Sequence, residues 1–352
     1  MSAAPLRQPL VSVVMPVYNA QRYVVEAVAS IIQQTLPDWE LICIDDGSSD
    51  GSQQLLQWLA AQDVRIRVVR QVNAGIVAAL NHGCSLARGP LICRMDADDI
   101  ALPDRLQRQV EHMRRHPECT VVGGAILEID AQGTPLGVQR LAAEHADIVH
   151  DLLHRRTGHF HPTTLIRSEA LEAVGGYRAA YQWVEDHDLW LRLAHRGQLA
   201  NLPPPVLCYR QHADSVCWQR AAQQRQLMNQ LLREAYAVRG QEAPESVMLH
   251  AAPVRQAAGP GKWARRAAKG GYARSCWKHL RQLHRSDAHW TYKLRMTLEV
   301  GLRLAGRLGR NGWDRCWGSP PCHIAVPDLS AWRARAVREV SLPTDAAAAR
   351  AA

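Results

Sequence analysis

The chain has 352 residues, 47% hydrophobic and 21% charged, which suits one large globular domain or two ordinary ones. No run approaches the roughly 18 apolar residues of a membrane helix. None of the nine cysteines forms a C-x-x-C pair, so neither a disulfide framework nor a zinc site is indicated. The net charge of +9 is unevenly spread: residues 254–315 carry fifteen Lys and Arg against three acids, which leaves the rest of the chain slightly acidic. The first ten residues lack the apolar core of a signal peptide, and a reducing cytoplasm is the expected home.

The first apolar run, residues 11–15, reads as a buried strand ended by Pro16, with Tyr18-Asn19-Ala20 as a turn. A helix is expected over residues 21–34, closing before Pro37. Residues 39–44 make a second buried strand, stopped by Asp45-Asp46-Gly47-Ser48-Ser49-Asp50-Gly51, with a helix from Ser52. A third strand over residues 65–70, a helix over 73–87 and a fourth strand over 91–95 follow. This alternation predicts a doubly wound, mostly parallel α/β sheet, whose strand ends and polar turns share one edge. Further on, a helix is expected over residues 104–115, a strand over 120–129, a helix over 142–153 and an extended segment over 159–167. Ser168 is a plausible helix N-cap. Glu185 opens an amphipathic helix, and a short strand over 206–210 follows three prolines. Beyond residue 219 the pattern turns to long helices: 219–238, then a basic helical stretch over 263–308 and a frayed tail from 344.

Three acidic groups stand out. Asp96-Ala97-Asp98-Asp99 puts three carboxylates at the end of a buried strand. Such a cluster is either a solvated turn or a site for a hard divalent cation, Mg²⁺ or Mn²⁺, which in turn suits phosphates. Asp45-Asp46 is either the start of a helix cap or a carboxylate pair of which one, Asp46, accepts a hydrogen bond from a nucleobase N–H. Glu185-Asp186-His187-Asp188 either complements a helix dipole or supplies a general base. His161 and His212 read as structural or surface histidines on their own. No phosphate-cradling glycine loop is present.

Taken in order, Val11-Ser12-Val13-Val14-Met15-Pro16-Val17-Tyr18-Asn19, Asp45-Asp46-Gly47-Ser48-Ser49-Asp50-Gly51, Asn73-Ala74-Gly75 with Asn81, Asp96-Ala97-Asp98-Asp99 and Glu185-Asp186 resemble the family 2 glycosyltransferases of the GT-A fold. His161-Pro162-Thr163, Gly175-Gly176-Tyr177 and Tyr209-Arg210 add to the resemblance, which covers residues 10–216. It implies a Rossmann-like GT-A domain over residues 1–218; residues 219–352, which the resemblance does not reach, read from their pattern as a basic helical extension. The implied activity is transfer of a hexosyl group, with inversion, from a UDP-, dTDP- or GDP-linked donor to a glycan or lipid-linked hydroxyl. Asp186 matches the catalytic base. Asp46 matches the base-contacting carboxylate. Pro16, Tyr18 and Asn19 match the loop beside the nucleotide, and Asn73, Gly75, Asp96 and Glu185 belong to the same donor site. Asp98 matches the metal ligand for Mn²⁺ or Mg²⁺, with His212 beside it near the diphosphate, and Asp99 orients the turn. A Q-x-x-R-W run is absent, which points to one sugar per encounter rather than polymerisation.

In the basic third, Trp263, Trp277, Trp290, Trp313 and Trp317 alternate with Lys and Arg. The segment is either a solvated helical domain with tryptophans in its core or a peripheral surface for anionic lipid on the inner face of the plasma membrane. No nucleic acid is expected. Two rivals to the transferase are a non-catalytic nucleotide- or membrane-binding protein on a degenerate transferase fold, and a nucleotidyltransferase.

Overall fold

The computed structural model describes residues 8–212, 221–248, 259–311 and 326–340. The first four apolar runs become β1 (Val11–Val17), β2 (Trp39–Asp45), β3 (Ile66–Arg70) and β4 (Leu91–Arg94), parallel and in the order β3-β2-β1-β4. β1, β2 and β4 are buried at every position, as parallel strands covered on both faces must be. The crossovers are α1 (Val24–Ile32), α2 (Ser52–Ala60) and α3 (Ile76–Ser85).

Past β4 the sheet changes direction. β8 (Leu165–Arg167) pairs antiparallel with β4, and β6 (Cys119–Asp130) antiparallel with β8. β9 (Gln198–Gln211) runs parallel to β6, and β5 (Ile100–Ala101) closes that side. β7 (Pro135–Gln139) folds back on β6 as a hairpin. β6 and β9 therefore run in the same sense as β1 and β4, and their last residues, Asp130 and Gln211, lie towards the edge that carries the polar turns. The flanking helices are α4 (Arg105–Arg115), α5 (His145–Leu153), α6 (Ser168–Ala173) and α7 (Glu185–Leu193).

Several local expectations are corrected. Pro16 does not end β1 but sits inside it, opposite Ile44. Val14 is the last β1 residue paired with β4, and its carbonyl, which accepts from Met95 N, faces that side. The alternation of the ladder turns the Pro16 nitrogen the same way, past the last β4 pair, so the missing N–H removes no ladder bond. The strand expected after the prolines begins at Gln198, before them. In its register Leu202 pairs with Gly124 and Pro205 with Ala125, so Pro203 and Pro204 occupy a bulge. The segment 159–167 is not extended throughout: His161–Thr163 forms one 3₁₀ turn before β8. Ser168 is the first residue of α6 rather than its cap, and its hydroxyl donates to Glu172 Oε1.

The helices after residue 220 pack directly on this sheet. α8 (Ala221–Ala237) places Leu231 and Ala235 in the core that holds Leu189 and Trp190 of α7. α9 (Pro260–Gly270), α10 (Ala273–Arg285) and α11 (Trp290–Asn311) cover Leu127 and Ile129 of β6 and Leu136 of β7. Some of the basic excess is met here: Arg266 pairs with Glu128 (2.6 Å), and Lys278 and His279 reach the buried Asp130. These partners hold the Asp130 carboxyl well below the usual range despite its burial. α12 (Ser330–Glu339) packs along α1 and α2, where Trp332 meets Trp58 edge-on and Arg333 pairs with Glu26. Trp263 packs against the α9–α11 core, whereas Trp277 and Trp290 are exposed. Trp313, Trp317 and the expected tail lie outside the described residues. Among those described, no helix is long and apolar enough to cross a membrane.

Candidate active site

The turns after β1, β2, β3 and β4 share one edge, and the first three hold one another. Asn19 (φ 49°) donates its N–H to Ser48 Oγ (3.0 Å) and accepts from Ser49 N (2.9 Å). Gln21 N donates to Asp50, and Ala20 N to Ser52 Oγ. The polar excess after β2 thus anchors the Tyr18–Asn19 loop as well as opening α2. Pro16 is buried in its strand, and the Tyr18 ring is left exposed at the edge. Gly47 (φ 73°) lets the β2 turn touch the β3 turn, since a Cβ there would stand 2.9 Å from Asn73 N. Across that contact the buried Asp46 carboxylate accepts from Gln71 Nε2 (2.7 Å) and Ala74 N (2.9 Å) on Oδ1, and from Gly75 N (2.9 Å) on Oδ2. Two lone pairs per oxygen leave Oδ2 able to accept one more donor.

Asp96, Asp98 and Asp99 place carboxylate oxygens within 4.8 Å of one another. The cluster has cations built in behind it. Arg94, buried in β4, binds Asp96 (2.6 Å). Arg105, also buried, donates to the Arg94 carbonyl (2.8 Å). Arg210 donates from its side chain to the Asp98 carbonyl (2.7 Å) and from its backbone to Asp99 Oδ1 (2.8 Å). His212 Nε2 lies 2.8 Å from Asp98 Oδ2. Asp99 Oδ2 is buried with no hydrogen-bond partner among the described residues. Burial and the repulsion of Asp98 and Asp96 push the Asp99 carboxyl well above its usual range. Convergent hard oxygens, one of them unpaired, fit Mg²⁺ or Mn²⁺. Of the three arginines, only Arg210 was named from the sequence, as part of the Tyr209-Arg210 motif. Arg94 could have been: it is a charge within an apolar run that reads as buried, and such a charge needs a partner.

The acids that open α7 divide into two kinds. Asp188 is fully buried and held by Arg192 (2.7 Å) and Arg178. Glu185 and Asp186 make no ion pair among the described residues; each accepts a backbone N–H, from Trp183 (2.6 Å) and His187 (2.7 Å) respectively. Trp183 itself is held at φ 83°, a conformation rare for a bulky side chain. Burial and then the neighbouring Asp186 push the Glu185 carboxyl up to about 7. The buried Arg94 guanidinium favours the ionised form of both Asp96 and Glu185. The loop before α7 also reaches the β3 turn, where a Cβ on Gly75 would meet Gln182 Nε2 at 2.7 Å.

A raised carboxyl contributes stability that is full below its usual value of 4.5 and is lost as pH rises through about 7. The Glu185→Gln variant should therefore show a smaller fall in melting temperature across that window than the native chain. Equal falls would show that Glu185 ionises normally.

The profile of Glycosyl transferase family 2 matches residues 12–175, which include the Asp46 and Asp96–Asp99 turns. The putative glycosyltransferase EpsE of Bacillus subtilis is 35% identical over 193 residues, 54% of this chain and 68% of EpsE. This chain is a family 2 glycosyltransferase. The amylovoran biosynthesis glycosyltransferase AmsE of Erwinia amylovora is 30% identical over 209 residues, 58% of this chain and 77% of AmsE. The crystal structure of S. aureus TarS 1–349 in complex with UDP-GlcNAc superposes with a TM-score of 0.54 at 14% identity, covering 93% of this chain and 88% of that one. The GT-A arrangement of a largely parallel sheet between helices is thus shared at the level of fold. The family 2 profile stops before Glu185, Asp186 and His212.

Proposed function

We propose that this glycosyltransferase moves a hexosyl group, with inversion, from a nucleoside-diphosphate donor to an acceptor hydroxyl on a glycan or lipid-linked sugar. The observation that carries the reading is the split within α7: Asp188 is consumed by arginines, whereas Glu185 and Asp186 make no ion pair among the described residues, and Arg94, which binds Asp96, favours the ionised form of Glu185. Asp186 accepts the proton of the acceptor hydroxyl as that oxygen bonds the anomeric carbon and the bond to the diphosphate breaks. Glu185, held largely protonated below neutrality, limits the negative charge beside Asp186. The free lone pair of Asp46 takes a base N–H, and Pro16, Tyr18, Asn19, Asn73 and Gly75 frame the nucleotide. Asp98, with Asp96 beside it and His212 bonded to it, would hold Mn²⁺ or Mg²⁺, which when bound offsets the charge of the departing diphosphate.

Residues 1–218 carry the transferase in this reading, residues 219–352 are its extension, and one sugar is added per encounter. The protein works in the cytoplasm, peripherally on the inner face of the plasma membrane. TarS, which shares the fold, has been crystallised with UDP-GlcNAc. The test is nucleotide release from a panel of UDP-, dTDP- and GDP-sugars in Mn²⁺. One nucleotide should be released well above the others. Silence from all of them, with intact protein, would overturn the reading.

A further inference from the structure

α11 carries two apolar faces. Met296 and Val300 are buried against α9 and α10. On the other side Trp290, Leu294, Leu298 and Leu302 are 66%, 51%, 59% and 73% exposed. At 3.6 residues per turn these four fall within an arc of about 120° and make a stripe about 18 Å long. No surface helix needs a second apolar stripe for its own packing, and one this continuous marks a docking face.

The neighbouring helix says what kind of partner fits. α10 turns Arg274, Trp277, Arg281 and Arg285 outward on one face. Trp277, Arg281, His284 and Arg285 border, with Thr297 of α11, a shallow cavity of about 330 Å³. His284 Nε2 and Thr297 Oγ1 lie 2.8 Å apart across it, so the α10 face and the α11 stripe adjoin. Arg274, Arg281, Arg285 and Arg295 make no ion pair among the described residues, unlike Arg266 and Lys278, which are matched to acids of the sheet. Glu299 is the one acid within α10 and α11, and Arg265 and Arg303 take it. Unmatched guanidinium groups and exposed indoles beside a leucine stripe complement anionic headgroups over an acyl layer.

The face is also tied to the candidate active site. Lys278, next to Trp277, donates to Asp130, Gln132 and Thr134 of the β6–β7 turn. Arg210 joins that turn to the acidic cluster, with contacts to the Ala131 carbonyl (3.4 Å) and the Asp98 carbonyl (2.7 Å). We infer that the α10–α11 face docks the enzyme on an anionic bilayer, with the stripe among the acyl chains and the arginines at the phosphates. What the bilayer offers the site, a lipid-linked acceptor hydroxyl, rests on the transferase reading; the docking does not.

The test is co-sedimentation of the full chain with vesicles of phosphatidylcholine alone and of phosphatidylcholine mixed with phosphatidylglycerol. Binding should be roughly tenfold stronger to the mixed vesicles at low salt and should weaken as salt rises. The Leu294→Glu/Leu298→Glu variant should lose about tenfold of that binding. Arg281→Gln/Arg285→Gln should blunt the preference for the anionic vesicles. Equal binding of the native chain to both vesicles, or unchanged binding by the glutamate variant, would overturn the inference. So would a native dimer that the glutamate variant converts to monomer, because the face would then join two copies of this chain. Nucleotide release measured without vesicles should be the same in native and variant protein. Its absence in both would sink the transferase reading and leave the docking result standing.

Discussion

Asp186→Asn is expected to leave donor affinity within about twofold and to lower sugar transfer by about a thousandfold, within the range a general base supplies. The substitution keeps the shape of the side chain. The amide oxygen can still accept from His187 N, as Asp186 Oδ1 does at 2.7 Å, so the start of α7 should be preserved. What disappears is the capacity to take a proton. Asp188 cannot take over, because its buried carboxylate is already bound by Arg178 and Arg192. Glu185 lies next in the chain, but its raised pKa leaves it largely protonated below pH 7. Single-turnover transfer, measured alongside donor binding by calorimetry, separates the two effects. Near-native turnover in this variant would remove Asp186 from the role of base.

The second large effect is expected at Asp98. Asp98→Ala should abolish the part of nucleoside-diphosphate binding that depends on Mn²⁺, a loss of about 3 kcal/mol or roughly a hundredfold in affinity. The fold should tolerate the change. Asp98 is only half-buried, and Arg94 and Arg105 sit behind the cluster independently of it. Those arginines make the prediction a sharp one. They already supply positive charge to Asp96 and Asp99, so the cluster does not need an ion merely to exist. If calorimetry gives the same affinity with Mn²⁺ and with chelator, in native protein and variant alike, the arginines suffice and the metal role falls.

The central strands were legible because burial on both faces makes β1, β2 and β4 mostly apolar, interrupted only by Ser12, Glu40, Asp45 and Arg94. Their polar turns were legible for the complementary reason: a chain leaving such a strand must meet solvent or a ligand. Proline was misread twice, at Pro16 and at Pro203–Pro205. Its cost depends on which way the missing N–H would face and on whether the partner strand tolerates a bulge, and neither is local information. β7 went unread, because five residues pairing on one side leave little periodicity. β5 has two residues and exists only through its pairing with β9.

At the site, the acids were legible by type and position, whereas their division of labour was not. Sequence alone placed Glu185, Asp186 and Asp188 in one run; only packing shows that Asp188 is claimed by arginines. The counter-charge behind Asp96–Asp99 was expected from an ion, yet Arg94, Arg105 and Arg210 are brought from β4, α4 and β9 by the fold. The tryptophans of the basic third could not be sorted either. A helix with two apolar faces, such as α11, has no single periodic signal to say which one is buried.

Nucleotide release from the preferred donor, measured in Mn²⁺ and again with excess chelator for native protein and Asp98→Ala, tests the metal–diphosphate site most directly. The expected result is release by the native chain in Mn²⁺ alone, with chelator and Asp98→Ala each reducing it to the background. Release that persists in chelator and in the variant would contradict the proposed metal–diphosphate site at Asp98.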